Sequence, residues 1–587
     1  MRDWTVFAAI ILSLAGSAAT AETTLIPPRT FTSSLEMTAL IKVDGAWQKV
    51  GSTPGTVTIP ACEDWRIELH AINPQSLEAY KREIDRLEIT RIRLPKSLNG
   101  RMWPRCREQG LFARLESLTL TDTEFALDLS PLSGLTELRS LDVILSRSVT
   151  DLSPLAGLTN LESLDLMRCY ELADLTPLAG LKNLRRLSVR STAVDNVAPL
   201  AGLPKLESLD LRDCRKIQDL APLASVANLA TLRLSGCSAI ADLSPLVRCR
   251  KLTVLDIRNC PGTDDLSFLP RLTQLTSLDV SQGPKHGRLR DLSPLSSLTS
   301  LTSLNLSYAK FTDLTPLKGL TNLRNLDLKV CDKLTDIAPL ANMKQLVSLN
   351  LQLCGQVTDL SPLAGLTELE SLRLSARGIA DLSPLAKLKK LQVLEMPICP
   401  GVADASPLAG LTELRKLDLT ACKGIGDISA IAQLPNLTSL GLPPNASTYD
   451  LRVFRDREVL ANLTELNLIG CGLIADLSPL AGLTKIRSMN LYECRRVKDL
   501  RTLATLTGLT TLSLEKCSAV TDLSPLAKLP NLQSLNLSYC GGVNDLDALA
   551  DLTTLVELQV EGCTKKLKQA AFEFQKRRPR CRVSGTS

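Results

Sequence analysis

Seventeen cysteines and two histidines are the residues of this 587-residue chain best suited to nucleophilic or metal chemistry. Their spacing argues against both. Structural zinc takes cysteine pairs two to four residues apart, and no C-x-x-C occurs. Thirteen cysteines, from Cys169 to Cys563, instead recur about 23 residues apart or at multiples of that step. His70 and His286 belong to no triad or metal spacing, and there is no phosphate-gripping glycine loop or nucleophile elbow. The sequence therefore predicts no catalytic residue, no metal and no cofactor. An enzymatic site would have to lie within residues 22–110.

The cysteines are positioned by a repeat. The pattern L-x-x-L-x-L starts at Leu115, Leu138 and Leu161 and continues to Leu555, about twenty times, mostly in steps of 23. Steps of 22 follow Leu184, Leu301 and Leu369, and those three repeats lack the cysteine. Repeat length and repeat chemistry thus change together. In "LESLDL" Leu164 and Leu166 alternate like a strand with one buried face, and Ser163 and Asp165 face the other way. The following "DLTPLAGL" predicts a short turn of helix started by Pro177, with Thr176 as its cap. Each coil points its leucines inward, and only stacked neighbours can bury them.

On these residues the chain resembles the leucine-rich repeat family. Members carrying "DLSPLAGLTNL" are similar to the bacterial internalin-type class, and those ending "L-x-x-C" resemble its cysteine-containing variant. The resemblance implies an α/β solenoid, a right-handed superhelix with a parallel sheet on the concave face and short 3-10 or helical turns on the convex face. It also implies binding rather than catalysis, and for internalin-type members an adhesin-like role. The cysteine slot, filled by asparagine elsewhere in the family, reads as a buried reduced thiol in a tight bend. Neighbouring thiols lie one strand spacing apart but side by side, a poor geometry for a disulfide. Buried thiols sit in tension with an oxidising compartment. Outside the ladder, Cys62 with Cys106 is the candidate disulfide, and Cys581 could pair with Cys563 or Cys540.

The ends differ from the repeats. Residues 1–21 read as a signal peptide: Arg2, an apolar run, then Ala19-Thr20-Ala21. The mature protein is expected to be exported, periplasmic or secreted, without a transmembrane segment. Residues 22–110 read as a small β-rich N-terminal cap, 111–563 as the repeat array and 564–587 as a basic C-terminal cap. That last segment holds eight Lys/Arg against Glu573 alone, although the whole chain carries only +6. So small a total does not suggest nucleic acid. Two longer steps of 26 place insertions near 281–290 and 443–462, either tolerated bulges or functional loops.

Outward strand residues form columns: one mostly serine, one mostly Asp or Asn, and a variable third. Either these make a solvated ladder or they form a polar groove for a protein or glycan ligand. The candidate contact residues are Arg190, Asp210, Arg212, Asp256, Arg258, Asp279, Tyr308, Asp327, Lys329 and Tyr492. The protein is expected to be a monomer. The other reading is a periplasmic scaffold held to an anionic surface by the basic tail.

Overall fold

Strands of three to five residues alternating with turns of 3-10 helix recur along most of the chain. The structure is a computed structural model. It describes residues 26–586 except 27, 44–45, 63, 97, 99, 123–126, 284–286, 445–450 and 455–457. The expected signal peptide, His286 and parts of both insertions lie outside the described residues. The chain divides into two compact units, Met1–His286 and Gly287–Ser587.

The first unit opens with five strands. β1 (Arg29–Ser33) pairs antiparallel with β4 (Gly55–Ile59). β2 (Met37–Val43) lies between β3 (Ala46–Ser52) and β5 (Asp64–Leu69), antiparallel to both. β5 then runs parallel to β6 (Arg91–Arg93), and β6 to β7 (Ser117–Thr121). Parallel pairing therefore begins inside residues 22–110. It continues coil by coil to Ser277–Asp279, with Leu164, Leu187, Leu209, Leu232, Leu255 and Leu278 in register. Helix α1 (Pro74–Arg86) starts on a capping box between Asn73 and Ser76 and buries Leu77, Tyr80 and Ile84. Helix α2 (Met102–Glu108) buries Trp103 against Phe112, ring centroids 5.3 Å apart, and the indole N–H donates to the Asp128 carbonyl at 2.6 Å.

The second unit stacks parallel strands from Ser303–Asn305 to Glu557–Gln559. Helix α3 (Lys565–Arg577), capped by Thr564, covers the last coil with Leu567, Ala571 and Phe574. The strand Arg582–Ser584 then joins the sheet beside Glu557–Gln559. In both units the inward leucines are essentially inaccessible to solvent. Burying a leucine is worth roughly 1.5–3 kcal/mol, so stacking is what makes a coil stable.

The 3-10 turns of the D-L-S/T-P-L coils are capped differently from the sequence expectation. Thr176 is not the cap. The Asp174 carboxylate, two residues earlier, accepts the Thr176 N–H at 2.8 Å, and Asp151, Asp242, Asp359 and Asp522 do the same in their coils. The serine or threonine answers by bonding back, which holds Asp151, Asp174 and Asp242 below the ordinary carboxylate range. The D-L-S-P-L signature is thus an Asx turn feeding a proline-started helix.

The thiols knit one coil to the next. Cys237 Sγ donates to the Leu211 carbonyl of the preceding coil at 3.1 Å, and that carbonyl also accepts the Cys214 N–H at 3.1 Å. The same contact recurs for Cys169, Cys260, Cys354, Cys494 and Cys540 at 2.9–3.2 Å. In a repeat without cysteine, Thr192 takes the slot and donates to Val189 at 2.7 Å. No disulfide joins the ladder. Cys62 and Cys106 are likewise separate buried thiols, and Cys581 is a buried thiol too. The Cys62–Cys106 bridge expected from sequence is not formed: Cys62 pairs through its backbone with Ile26, and Cys106 is buried on α2.

Candidate functional site: the exposed face of the strands

Strands of three residues expose one or two side chains per coil, and stacking aligns these into the columns read from the sequence. The Asp/Asn column has a structural duty. Asp210 Oδ1 accepts the backbone N–H of Arg212 at 3.1 Å, Asp256 that of Arg258 at 3.2 Å, and Asp279 that of Ser281 at 3.0 Å. Asp327, Asn350, Asn490 and Asn536 do likewise at 2.8–3.0 Å. Each side chain closes an Asx turn where the strand stops pairing. This accounts for the preference of the column for Asp and Asn, although Ser188, Arg233, Arg373, Glu395, Gly441, Ser513 and Gln559 hold the same register in other coils.

The third column carries no such restriction, and there the candidate residues differ most. Arg212 is bidentate on Asp210, its Nε 2.9 Å from Oδ1. Arg258 bonds Asp256 at 2.8 Å and reaches Asp279 of the next coil at 3.4 Å. The Arg190 guanidinium comes no closer than 3.7 Å to Asp213, and its buried Nε has no hydrogen-bond partner. Lys329 is half-buried beside Asp327. Tyr492 packs under Lys516, whose Nζ lies 4.6 Å from the ring centroid and bonds the phenol. Tyr308 is not on a strand: it occupies the bend after one, with φ 67°. In the first unit the structure thus brings together Arg190, Asp210, Arg212, Asp256, Arg258 and Asp279. Asp327, Lys329, Tyr308 and Tyr492 belong to the second unit. There a cavity of about 450 Å³ opens on the strand face, lined by Tyr492, Glu515, Asn490, Asn536 and Gln559 among others.

Burial and crowding shape the acids. Asp279 is pushed up to about 6, first by desolvation and then by Asp256, against the pull of Arg258 and the Ser281 bonds. Asp142 and Asp165 are raised for the same first reason. A carboxyl whose folded pKa exceeds its unfolded one holds its proton more tightly when folded, so stability falls as pH rises between about 4 and 6. Asp279→Asn, which keeps the Asx acceptor, is therefore expected to raise stability at pH 7.5 by about 1 kcal/mol. The full shift would give more, but 23% of the side chain remains exposed. At pH 4.5 the gain should largely vanish. Urea melts at the two pH values check this.

Sequence reading missed one part of this face. β2, β3 and β5 extend the sheet at its N-terminal end and place the half-buried Trp47 over a buried Arg66. The Arg66 guanidinium lies 3.7 Å from the Trp47 ring centroid, donates to Thr119 at 2.8 Å and meets Asp142 at 3.4 Å. Burial lowers its pKa to about 10. The alternation Thr38-Leu40-Lys42 and Asp64-Arg66-Glu68 carried the signal, but not the strand pairing that puts both runs on one face. His70 shares a hydrogen bond with Thr38 at 2.7 Å. Among the described residues no group of His, Cys, Asp and Glu has the geometry to hold a metal, and no helix is long and apolar enough to cross a membrane.

The family model for the leucine-rich repeat region matches residues 183–475, and a second, for leucine-rich repeats in two copies, matches 507–551. Together they span more than half the chain. It is a leucine-rich repeat protein. No curated protein matches this leucine-rich repeat chain. Among solved structures it is similar to an internalin, InlF, from Listeria monocytogenes: 26% identity over 60% of this chain and 81% of that one, TM-score 0.32. It is also similar to the functional domain of InlJ from Listeria monocytogenes, which includes a cysteine ladder, at 20% identity over 68% and 73%, TM-score 0.36. A leucine-rich repeat protein of Leptospira interrogans matches at 17% identity over 83% and 98%, TM-score 0.44. A leucine-rich repeat fold supports a role in protein recognition; the ligands of these neighbours do not transfer with it.

Proposed function

We propose that this leucine-rich repeat protein is an exported, non-enzymatic binder that recognises another protein through the exposed strand face, with an adhesin-like role by likeness to internalin-type repeats. The carrying observation is the row of cations on the first unit's strand face, Arg190 above all: its side chain is a third exposed and stands 3.7 Å from Asp213, a looser pairing than those of Arg212 and Arg258, which leaves its guanidinium for a ligand carboxylate or carbonyl. Beside it Arg212 and Arg258 present half-exposed cations, and arginine is enriched at binding hot spots. Trp47 over Arg66 adds an aromatic anchor that the repeats lack.

The test is capture from a cell-envelope or host-cell lysate, with partners identified by mass spectrometry. Changing Arg190, Arg212 and Arg258 together to Glu should abolish capture of a defined partner. The same three positions changed to Gln, which spares the fold from facing new carboxylates toward Asp210 and Asp256, should weaken capture at least tenfold while circular dichroism shows the fold retained. An unaltered capture profile in both variants would sink the reading.

The scaffold reading draws support from Lys565, Lys566, Lys576, Arg577, Arg580 and Arg582, which are all exposed. The rest of the tail is committed to packing: Arg578 donates to the Ala550 and Leu552 carbonyls at 3.1 and 2.8 Å, and Cys581 is buried. Binding to anionic vesicles that survives the arginine variants and is lost on neutralising the six exposed cations would favour it.

A further inference from the structure

The cavity of about 450 Å³ on the strand face of the second unit lies where the columns lose their charge. Its floor is one register row, Asn490, Ser513, Asn536 and Gln559, on four successive coils. In the first unit the same row reads Asp210, Arg233, Asp256 and Asp279. Among the described residues that line the cavity, Glu515 alone is charged.

Each amide of the floor is spent on one side only. Asn490 Oδ1 accepts the Tyr492 N–H at 2.9 Å, and its amide N–H groups have no partner among the described residues. Asn536 Oδ1 closes its own Asx turn, and its amide donates to Glu515 Oε2 at 3.0 Å, leaving Glu515 Oε1 open. The Gln559 amide donates to Glu557 at 3.1 Å and keeps its carbonyl oxygen open. Thr511 is exposed, and its hydroxyl has no partner among the described residues. The cavity thus offers a pair of donors, two acceptors and a hydroxyl that can act as either. Bonds to their neighbours hold Glu515 and Gln559 in place beforehand, which lowers the cost of binding.

This is chemistry for a polyol. A sugar hydroxyl donates and accepts at once, so it suits amide donors set beside carboxylate and carbonyl acceptors. Tyr492 supplies an apolar surface: its ring lines the cavity, with Lys516 Nζ 4.6 Å from the ring centroid. The weakly positive C–H groups of a pyranose pack on the negative face of such a ring. Coils step by about 4.8 Å, close to the length of one sugar ring, so Asn490 and Asn536, two coils apart, span a disaccharide. The volume falls within the range of small-molecule sites. Charge selects against an acidic ligand, because Glu515 and the adjoining Glu557 outnumber Lys516. A protein interface centres on aromatic or arginine anchors in desolvated pockets, whereas this floor is amide and hydroxyl.

We infer that this cavity binds a neutral saccharide of one or two rings, with the Asn490 amide, Glu515 and Gln559 on its hydroxyls and the Tyr492 ring against its C–H face. The site goes beyond the protein recognition proposed for the first unit and uses none of its arginines, so each reading can fail alone.

The probes are lactose, maltose, cellobiose and chitobiose, each titrated into the full chain and read by saturation-transfer difference NMR. Lactose stands for galactose-ended surface glycans and chitobiose for the amino-sugar backbone of cell walls, so the preferred disaccharide also separates those sources. Sialyllactose and a tetralysine peptide are the charged controls. At least one neutral disaccharide should bind at least tenfold more tightly than either control. Asn490→Asp keeps the Asx acceptor and the turn but removes the amide donors. It should weaken binding at least tenfold with the circular dichroism spectrum unchanged. Tyr492→Ala should weaken it as much, and the Arg190, Arg212 and Arg258 variants should leave it unaltered. Binding by none of the four disaccharides would overturn the inference. So would tighter binding of sialyllactose or tetralysine, or undiminished affinity in Asn490→Asp and Tyr492→Ala.

Discussion

Raising the pH from 7 to 10 should cost this protein about 10 kcal/mol of stability, through thiols that never meet a reagent. Burial pushes Cys169, Cys260, Cys354, Cys517 and Cys540 up to about 12. In the unfolded chain a cysteine titrates near 8.5. Between those values the unfolded state binds fewer protons than the folded one, so stability declines as pH rises. Below about pH 8 the contribution is fully present. At pH 10 each such thiol costs about 2 kcal/mol, and five cost about 10 kcal/mol, comparable with the whole stability of an ordinary domain. Urea melts followed by circular dichroism from pH 7 to 10.5 should show a steep alkaline limb, and replacing the five cysteines by alanine should make it shallower without abolishing it, because other buried thiols such as Cys106 and Cys249 are raised too. In the native state at pH 8, iodoacetamide should reach Cys563, the half-buried member, and spare the sixteen buried thiols; in denaturant all seventeen should react. A ladder alkylated as fast as free cysteine, or stability unchanged to pH 10.5, would contradict the arrangement.

The solenoid was legible because its cause is periodic. A leucine that must be buried in every coil leaves the same mark twenty times, and the link between a 22-residue step and a missing cysteine exposed the bend. The thiol slot was legible for the same reason: Cys237 and Thr192 are both small donors aimed at a carbonyl of the bend. The single-copy features were less legible. Nothing in "TALIKV" or "DWRIEL" states which strand pairs with which, so the aromatic–cation pair Trp47–Arg66 could not be assembled from spacing. Nor does an aspartate reveal from sequence whether its oxygen is spent on its own backbone. Asp210 and Asp256 read as candidate contact residues, and the structure pairs them with Arg212 and Arg258 but also engages them in Asx turns that end their strands.

That division of labour bears on how the face evolves contacts. A column largely closed by Asx turns favours Asp and Asn, with departures such as Arg233, Arg373 and Glu395 in single coils. The neighbouring column can change from Arg258 to Lys329 to Tyr492 without altering the backbone. Recognition chemistry is therefore expected to concentrate in residues two beyond the Asx position. The inward leucines have no such freedom.

Leu372→Ala is accordingly expected to destabilise the second unit by about 2–5 kcal/mol, the range for emptying a leucine site in a close-packed core. Leu372 is fully buried on the strand Ser371–Ser375, in register with Leu349 before it and Leu394 after it. No remote part of the chain can collapse into the void, because a coil packs only on its neighbours. The damage should therefore be local as well as large. Hydrogen exchange should accelerate in residues 346–414 well before the first unit or the strand Ser534–Asn536 responds, and limited proteolysis should nick the same interval. Destabilisation below 1 kcal/mol, or exchange that rises uniformly over the whole chain, would mean that the coils are not coupled through their leucines to nearest neighbours, and the account of the stack would be wrong.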